Sequence, residues 1–407
     1  MTPTLYITRN GLLEPLGQSQ VLSYLRGLSL LYSVTLISFE KAADLADTAA
    51  MARVRADCRA HGIRWLPQRL HLRPRGIAPA WSMVLFLWLC LREVSGGRAR
   101  LIHARSYIPA AVALLVNRLT GTPFIFDMRA LWPDEMITAG RLRRGSRSHR
   151  AIVAAERACL RRAATVVCLT HAAVDHLRAV YPQHLAGQRI VVIPTCADLD
   201  RFVPAAVPVT EPRVYACLGS VLTGWFRIDW LAGFFAVVAA RDPDARFHIV
   251  TRDDPAAVRA AFGTGSGLQQ RLDIHPMPPE RVHAALQRHS VNVMFYAGDE
   301  ISERGRSPTR MAEGLGCGLP VVANAGVGDV AQIVTGHRVG VLATANTPEA
   351  MGKTLDALLD LWSDPDLARR CRAAAEEIFS LTNGTSAYAD VYAGILDREN
   401  ACKDIAK

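Results

Sequence analysis

Short apolar, β-branched-rich segments recur along this chain, with helix-length stretches between them. A first series reads as strands at Thr4–Thr8, Ser33–Phe39, Ile63–Pro67, Arg100–Ala104, Pro123–Met128, Thr165–Thr170 and Ile190–Pro194. A second follows at Val214–Gly219, Arg246–Thr251, Leu272–Met277, Val291–Tyr296, Pro320–Asn324 and Val339–Ala343. Strands joined by helices pair in parallel, and the helices cover both faces of the sheet. Right-handed crossovers then gather the loops after the strands on one edge, where ligands bind. Between the series, VPAAVPVTEP is punctuated by Pro204, Pro208 and Pro212 and reads as a linker. From Pro348 onward the pattern predicts three helices and no strand, with helix starts at Thr347-Pro348-Glu349 and Ser363-Asp364-Pro365. A length of 407 residues suits two domains. The expected class is α/β, with two Rossmann-like domains facing across a cleft: residues 1–205 and residues 206–407.

Chemistry concentrates in Ser302 to Asn324, SERGRSPTRMAEGLGCGLPVVAN. Ser307 can cap a helix whose first position is Pro308, where the missing N–H costs nothing. Thr309 to Leu315 then make two turns, and Gly316 and Gly318 bracket the exit. Arg304, Arg306 and Arg310 surround the positive end of that helix, a setting suited to phosphate. Glu313, further in, can accept two hydrogen bonds from a diol such as a ribose.

The stretch resembles the nucleotide-sugar site of glycosyltransferase family 4, retaining transferases of the GT-B fold. That family commonly carries two glutamates eight positions apart, followed by a small-Cys-Gly-Xaa-Pro-Val-Val segment. Glu313 and Gly316-Cys317-Gly318-Leu319-Pro320-Val321-Val322 match the second half, whereas the place of the first glutamate is held by Gly305. Glu303 stands two residues away from it. The resemblance covers nearly the whole chain and implies a last helix that crosses back to the first domain. It implies a nucleotide-diphosphate sugar as donor, a glycan or lipid-linked acceptor, hexosyl transfer with retention, and a part in bacterial surface polysaccharide synthesis. No metal or other cofactor is expected, because arginines with a helix N-terminus can replace a cation.

Further candidates lie after the strands. In Asn10 to Gln20, Gly17 and Gln18 form either a ligand-facing loop, as the resemblance implies, or a tight strand–helix turn. His103 and Arg105 end the fourth strand; a histidine there is either a satisfied core residue or, by the resemblance, the group that contacts the transferred sugar. Asp127, Arg129 and Glu135 follow the fifth strand and read as an ion-pair cluster or as holders of acceptor hydroxyls. The basic run Arg141 to Arg147 reads as a solvated loop or a grip for acceptor phosphate or anionic lipid. In the second domain Gly219-Ser220 stands where the family often has Gly-Arg, so phosphate charge falls to Arg227, Arg304 and Arg310. Thr251-Arg252-Asp253 and Met277-Pro278 would border the base.

The net charge of +10 is almost all arginine, lysine standing only at 41, 353, 403 and 407. It points to anionic partners, and no motif supports nucleic acid among them. The nine cysteines form no CxxC pair and several sit in apolar runs, as small hydrophobes of a reduced cytosol do. Neither a signal peptide nor a membrane span is expected. The longest apolar run, Ala80 to Leu91, is too short to cross. It reads as a buried helix or as one dipping into a membrane interface, flanked by Arg64, Trp65, Arg69, His71, Arg73 and Arg75. A cytoplasmic protein with peripheral membrane contact follows. Two other functions fit the fold: a sugar-nucleotide epimerase, which needs more carboxylates than are seen, and a non-catalytic sugar-nucleotide-binding protein.

Overall fold

The computed structural model describes residues 1–71, 77–207, 211–263 and 267–405; Arg73, Arg75 and Pro208 lie outside them. The chain divides into two compact units. Unit 1 comprises Met1–Pro133, Leu142–Ile193 and Leu381–Lys407, and unit 2 comprises Asp134–Arg141 and Pro194–Ser380.

Unit 1 is built on seven strands: β1 (Thr2–Thr8), β2 (Tyr32–Glu40), β3 (Arg64–Arg69), β4 (Leu101–Arg105), β5 (Phe124–Asp127), β6 (Thr165–Cys168) and β7 (Ile190–Val192). Their order across the sheet is β3-β2-β1-β4-β5-β6-β7. Every pairing is parallel; Tyr6, for example, lies beside Leu36 on one side and His103 on the other. The central strands are buried on both faces, which explains why they read as continuous apolar runs rather than alternating ones. The order reverses direction between β1 and β4, so that gap is the topological switch point.

Unit 2 repeats the plan with β8 (Val214–Leu218), β9 (Arg246–Val250), β10 (Leu272–His275), β11 (Val291–Val293), β12 (Val321–Asn324) and β13 (Gly340–Ala343), ordered β10-β9-β8-β11-β12-β13. Here the switch point falls between β8 and β11. Its core is rich in aromatics: Tyr215, Phe234, Phe235, Phe247 and Phe295 are all essentially fully buried. The sheets and their intervening helices are those of a GT-B fold, with two Rossmann-like domains. Helices Pro348–Trp362, Leu367–Phe379 and Leu381–Ile405 follow the last strand, and the third of them belongs to unit 1.

The chain changes unit at Ile193–Pro194, ahead of the proline-punctuated segment rather than within it. Packing explains the position. Ala197, Leu199 and Phe202 are buried in the core of unit 2, and Arg372 Nη1 donates to the carbonyls of Phe202 and Gly316 at 2.6 and 3.1 Å.

The apolar run centred on Phe86 is helical within Ile77–Ser95. Phe86, Leu89 and Cys90 are buried, while Trp81, Val84 and Trp88 on the other face are 59, 59 and 54% exposed. Two of its supposed membrane-facing neighbours serve the fold instead. Arg64 pairs with the buried carboxylate of Glu93, and the Trp65 indole N–H donates to Ser38 Oγ at 2.8 Å. Among the described residues, no helix is long and apolar enough to cross a membrane.

Candidate functional site

In unit 2, helix Thr309–Gly316 follows β11 at the switch point. Its exit is a Schellman turn. Cys317 caps, Gly318 takes φ +77°, its N–H donates to Leu315 O at 2.9 Å, and the Leu319 N–H reaches Gly314 O at 3.0 Å. Its entrance differs from expectation. Pro308 is extended and stands at the cap position without a side-chain cap. The Ser307 hydroxyl instead accepts from the Thr195 N–H at 3.1 Å, tying the segment that enters unit 2 to this helix. Asn292, buried mid-strand in Val291-Asn292-Val293, donates to Arg310 O at 2.6 Å and fixes the first turn onto β11.

That anchoring lays the Arg310 side chain across the end of β8. Its Nη2 donates to Ser220 O at 3.3 Å, its Nη1 meets Cys217 Sγ at 3.5 Å, and a Cβ placed on Gly219 would come within 2.7 Å of it. Gly219 has φ +86°, so both its backbone and its missing side chain are needed there. The guanidinium also lies over Phe226 and Tyr296, 5.1 and 5.5 Å from their ring centres. Among the described residues no carboxylate pairs with Arg310, so its contacts leave its charge uncompensated. Thus a guanidinium stands against the backbone of Ser220, carried by a residue ninety positions later in the chain. The loop beyond is shaped by Asp253, whose carboxylate accepts from the Val221 and Leu222 N–H groups at 2.6 and 3.0 Å.

Glu313 lies on the same helix, half-buried. Among the described residues its carboxylate accepts no hydrogen bond. Burial pushes its pKa up to about 7, against the opposing pull of Arg310 and Arg201. An unpartnered carboxylate beside an uncompensated guanidinium, at the carboxyl edge of a switch point, has the chemistry to take a ligand that carries both hydroxyls and negative charge.

The other cations near this helix are differently engaged. Arg306 is not directed to solvent. Its Nη2 donates to Glu303 at 2.9 Å, it lies 3.8 Å from Glu135, and it stacks over Trp225 and Tyr296. Glu303 is fully buried under that contact, so it does not replace the missing glutamate as an open acceptor. Glu135, grouped in sequence with Asp127, belongs to unit 2, and its carboxyl is raised by burial, with Arg306 opposing. Arg227 is clamped by Asp229 through bonds of 3.0 and 2.8 Å. Arg304 is exposed, Thr309 half-buried and Pro308 buried.

In unit 1 the edge of the sheet is closed. His103 is 1% exposed and both ring nitrogens are occupied, Nδ1 by Tyr392 Oη at 2.9 Å and Nε2 by Asp127 Oδ2 at 3.3 Å. Arg105 and Arg129 approach the same carboxylate at 3.6 and 3.5 Å. Burial raises the Asp127 carboxyl, but Arg129, His103 and Arg105 outweigh it and hold the group well below the usual range. Burial lowers the His103 pKa, with Asp127 opposing. Arg129 also donates to Tyr388 Oη at 3.3 Å and Gln20 at 3.4 Å. His103 is thus engaged at both nitrogens inside the core, and Asp127 and Arg129 form an ion pair. The loop after β1 is likewise internal. A Cβ on Gly17 would strike Gly11 O at 2.0 Å, and Gln18 Nε2 donates to Leu12 O at 2.5 Å. The buried Glu40 accepts from the Leu12 N–H at 2.9 Å. Gly17 is needed for the chain's own close approach.

Two family models match in succession: Glycosyltransferase Family 4 over residues 18–201, and Glycosyl transferases group 1 over residues 212–361. The chain belongs to the family 4-like glycosyltransferases. No curated protein matches the sequence. Among solved structures, this glycosyltransferase resembles sucrose-phosphate synthase from Thermosynechococcus elongatus, at a TM-score of 0.74 and 14% identity over 98% of this chain and 100% of that one. It resembles HepE from Anabaena, solved with UDP-glucose, at 0.67 and 16% over 96 and 99%. It also resembles a putative UDP-N-acetylglucosamine 2-epimerase from Listeria monocytogenes, at 0.58 and 12% over 98 and 97%. At such identities the likeness is one of fold, and the fold is shared by transferases and an epimerase. Within this glycosyltransferase, Asn292, Tyr296 and Phe226 build the site without having been singled out in sequence. A buried asparagine between two valines was the available signal for the first, and none marked the others.

Proposed function

We propose that this glycosyltransferase moves a hexose from a nucleotide-diphosphate donor to a glycan or lipid-linked acceptor, with retention, in bacterial surface polysaccharide synthesis at the cytoplasmic face of a membrane. The observation that carries the donor assignment is the Arg310 guanidinium laid across Gly219 and Ser220, with Glu313 open on the same helix. In this reading the ribose diol donates to Glu313 and the diphosphate faces Arg310, with Arg304, Thr309 and the Gly219 turn around it. Charge grows on the diphosphate as the sugar bond breaks, so a positioned arginine stabilises the transition state more than the ground state. A phosphate oxygen of the leaving group can take the acceptor proton, which needs no protein base and no metal. HepE was solved with UDP-glucose, which makes a UDP-sugar the first donor to test.

Thermal-shift screening against UDP, GDP, ADP and their sugars tests the reading. Stabilisation by one nucleotide family, lost in Glu313→Ala, supports it; no stabilisation by any overturns it. Slow release of free sugar and nucleotide from the donor separates a transferase from a non-catalytic binder, and a changed but unreleased sugar would mark an epimerase.

Membrane contact rests on the exposed Trp81, Val84 and Trp88 stripe, with Arg92 stacked on Trp88 at 5.0 Å. Sedimentation should favour anionic over neutral vesicles at low salt, and Trp81→Ser with Trp88→Ser should abolish the difference. Equal recovery in both supernatants would remove the membrane part of the reading.

A further inference from the structure

Strand β10 is the outer strand of the unit 2 sheet, beside β9. Their register sets Asp273 opposite His248, and His275 is two residues beyond Asp273 on β10. Side chains alternate along a strand, so His248, Asp273 and His275 share one face, while Phe247, Ile249, Leu272 and Ile274 fill the core on the other. The ligand atoms of the three polar residues all lie within 4.8 Å of one another. The His275 ring is tilted 31° against His248 with centres 4.8 Å apart, and its Nδ1 is 3.0 Å from Asp273 Oδ1.

A second observation bears on what this group binds. His248 Nδ1 lies 2.8 Å from Nε2 of His289, which is 4% exposed. The nitrogen left to His248 is Nε2, and it is buried without a hydrogen-bond partner. His289 Nδ1 is buried and unpartnered too. A buried polar atom without a partner costs stability, and two on one pair of rings call for an explanation. A metal on His248 Nε2 supplies one. It satisfies that nitrogen and fixes His248 as the tautomer whose Nδ1–H donates to His289, the outer contact a metal-bound histidine normally makes.

We propose that His248, Asp273 and His275 form a divalent transition-metal site, suited to zinc, oriented by His289 and separate from the donor site. Two neutral imidazoles and one carboxylate are a zinc-type donor set that leaves a fourth position for water. Ligand atoms around tetrahedral zinc stand about 3.3 Å apart. The group closes to that spacing through rotation of His275 and Asp273, whose side chains are 41 and 67% exposed and free to turn. The metal would pin the outer strand β10 to β9, so its effect is on the stability of unit 2. His289 is a positioning residue and touches no metal.

The test uses the untagged full chain, stripped with a chelator and titrated with zinc by calorimetry, and with cobalt by visible absorption. One equivalent should bind, raise the melting temperature of the protein and give a cobalt spectrum of tetrahedral intensity. Asp273→Asn and His275→Ala, both at accessible side chains, should each weaken binding at least tenfold. His289→Ala should weaken it about 10–100-fold, the usual cost of losing an outer-shell partner. If His289→Ala does not fold, the two accessible variants still decide. Absence of zinc uptake by the parent protein overturns the proposal. So does uptake that Asp273→Asn and His275→Ala leave unchanged, since the metal would then be bound elsewhere.

Discussion

The carboxylate of Asp127, at the end of β5 in unit 1, is surrounded by His103, Arg105 and Arg129. The carboxylate of Glu313, beside the switch point of unit 2, accepts no hydrogen bond among the described residues, and Arg310, the cation that acts on it most, pairs with no carboxylate among them. Both lie near a sheet edge of the kind that binds ligands in α/β folds, Asp127 fully buried and Glu313 half-buried. Their pKa values move in opposite directions. Neighbouring cations overcome burial at Asp127, whereas at Glu313 burial prevails and gives about 7. At Asp127 neighbouring charges offset the carboxylate, although its Oδ1 accepts no hydrogen bond; a cluster left incomplete, as at Glu313, can take a partner.

The largest expected effect lies at the closed edge. Asp127→Ala leaves Arg105 and Arg129 buried with no counter-charge, which costs about 3–5 kcal/mol of stability. Equilibrium denaturation measures it. Because the Asp127 pKa is depressed in the folded state, its contribution is present above the ordinary aspartate range and is lost as pH falls below it. A variant of undiminished stability but abolished activity would break the comparison, because unit 1 would then have a working site at this edge.

At the open edge the main effect should be kinetic. Arg310→Ala is expected to lower kcat by about 10²–10³, the scale of one electrostatic donor, with donor KM changed less. Single-turnover kinetics with the identified donor would show it. Near-normal kcat would move the diphosphate to other groups, with Arg304 and the Gly219 turn next in order. Arg306→Ala should instead act on stability, since its partner Glu303 is fully buried.

The contrast between the edges was only half visible in the sequence. All thirteen strands were legible, because continuous apolar runs bounded by polar turns have few other uses. Arg310 and Glu313 were legible as a motif. The closing of unit 1 was not, because Tyr388 and Tyr392, which pack on His103 and Arg129, come from the far end of the chain. Nor did the spacing show that Ser307 serves Thr195, or that Arg227 turns back to Asp229 two residues on. Local pattern reveals where polar groups stand; which of them neutralise one another depends on contacts distant in sequence.

A smaller effect would sharpen the assignment of Glu313. Glu313→Ala should weaken nucleotide diphosphate binding by about 1–3 kcal/mol, the scale of a lost charged hydrogen bond. Calorimetry that finds unchanged affinity in a folded variant would assign the ribose to another group.

The smallest effect is one of pH, and it follows from Glu313 being unpartnered. In the folded protein its pKa is about 7, against an ordinary value of 4.5. Between those values the folded chain retains a proton that the unfolded chain has lost, so stability falls as pH rises through that window and is level above it. Glu313→Gln removes this dependence and should be more stable than the parent protein at pH 8 but not at pH 4. Ligand binding has the opposite sign. A ribose diol donates two hydrogen bonds to the ionised carboxylate and favours that form. Donor affinity should therefore rise with pH up to about 7 and level off, falling by at most about tenfold per unit below it. A nucleotide sugar is the right probe, because its diphosphate is esterified at both ends and has no titration of its own near neutrality. The proton released on binding, measured by calorimetry in two buffers of different ionisation enthalpy, should be greatest below pH 7 and vanish in Glu313→Gln. Proton release that persists in that variant would assign the linkage to another group and leave Glu313 without a role in donor binding.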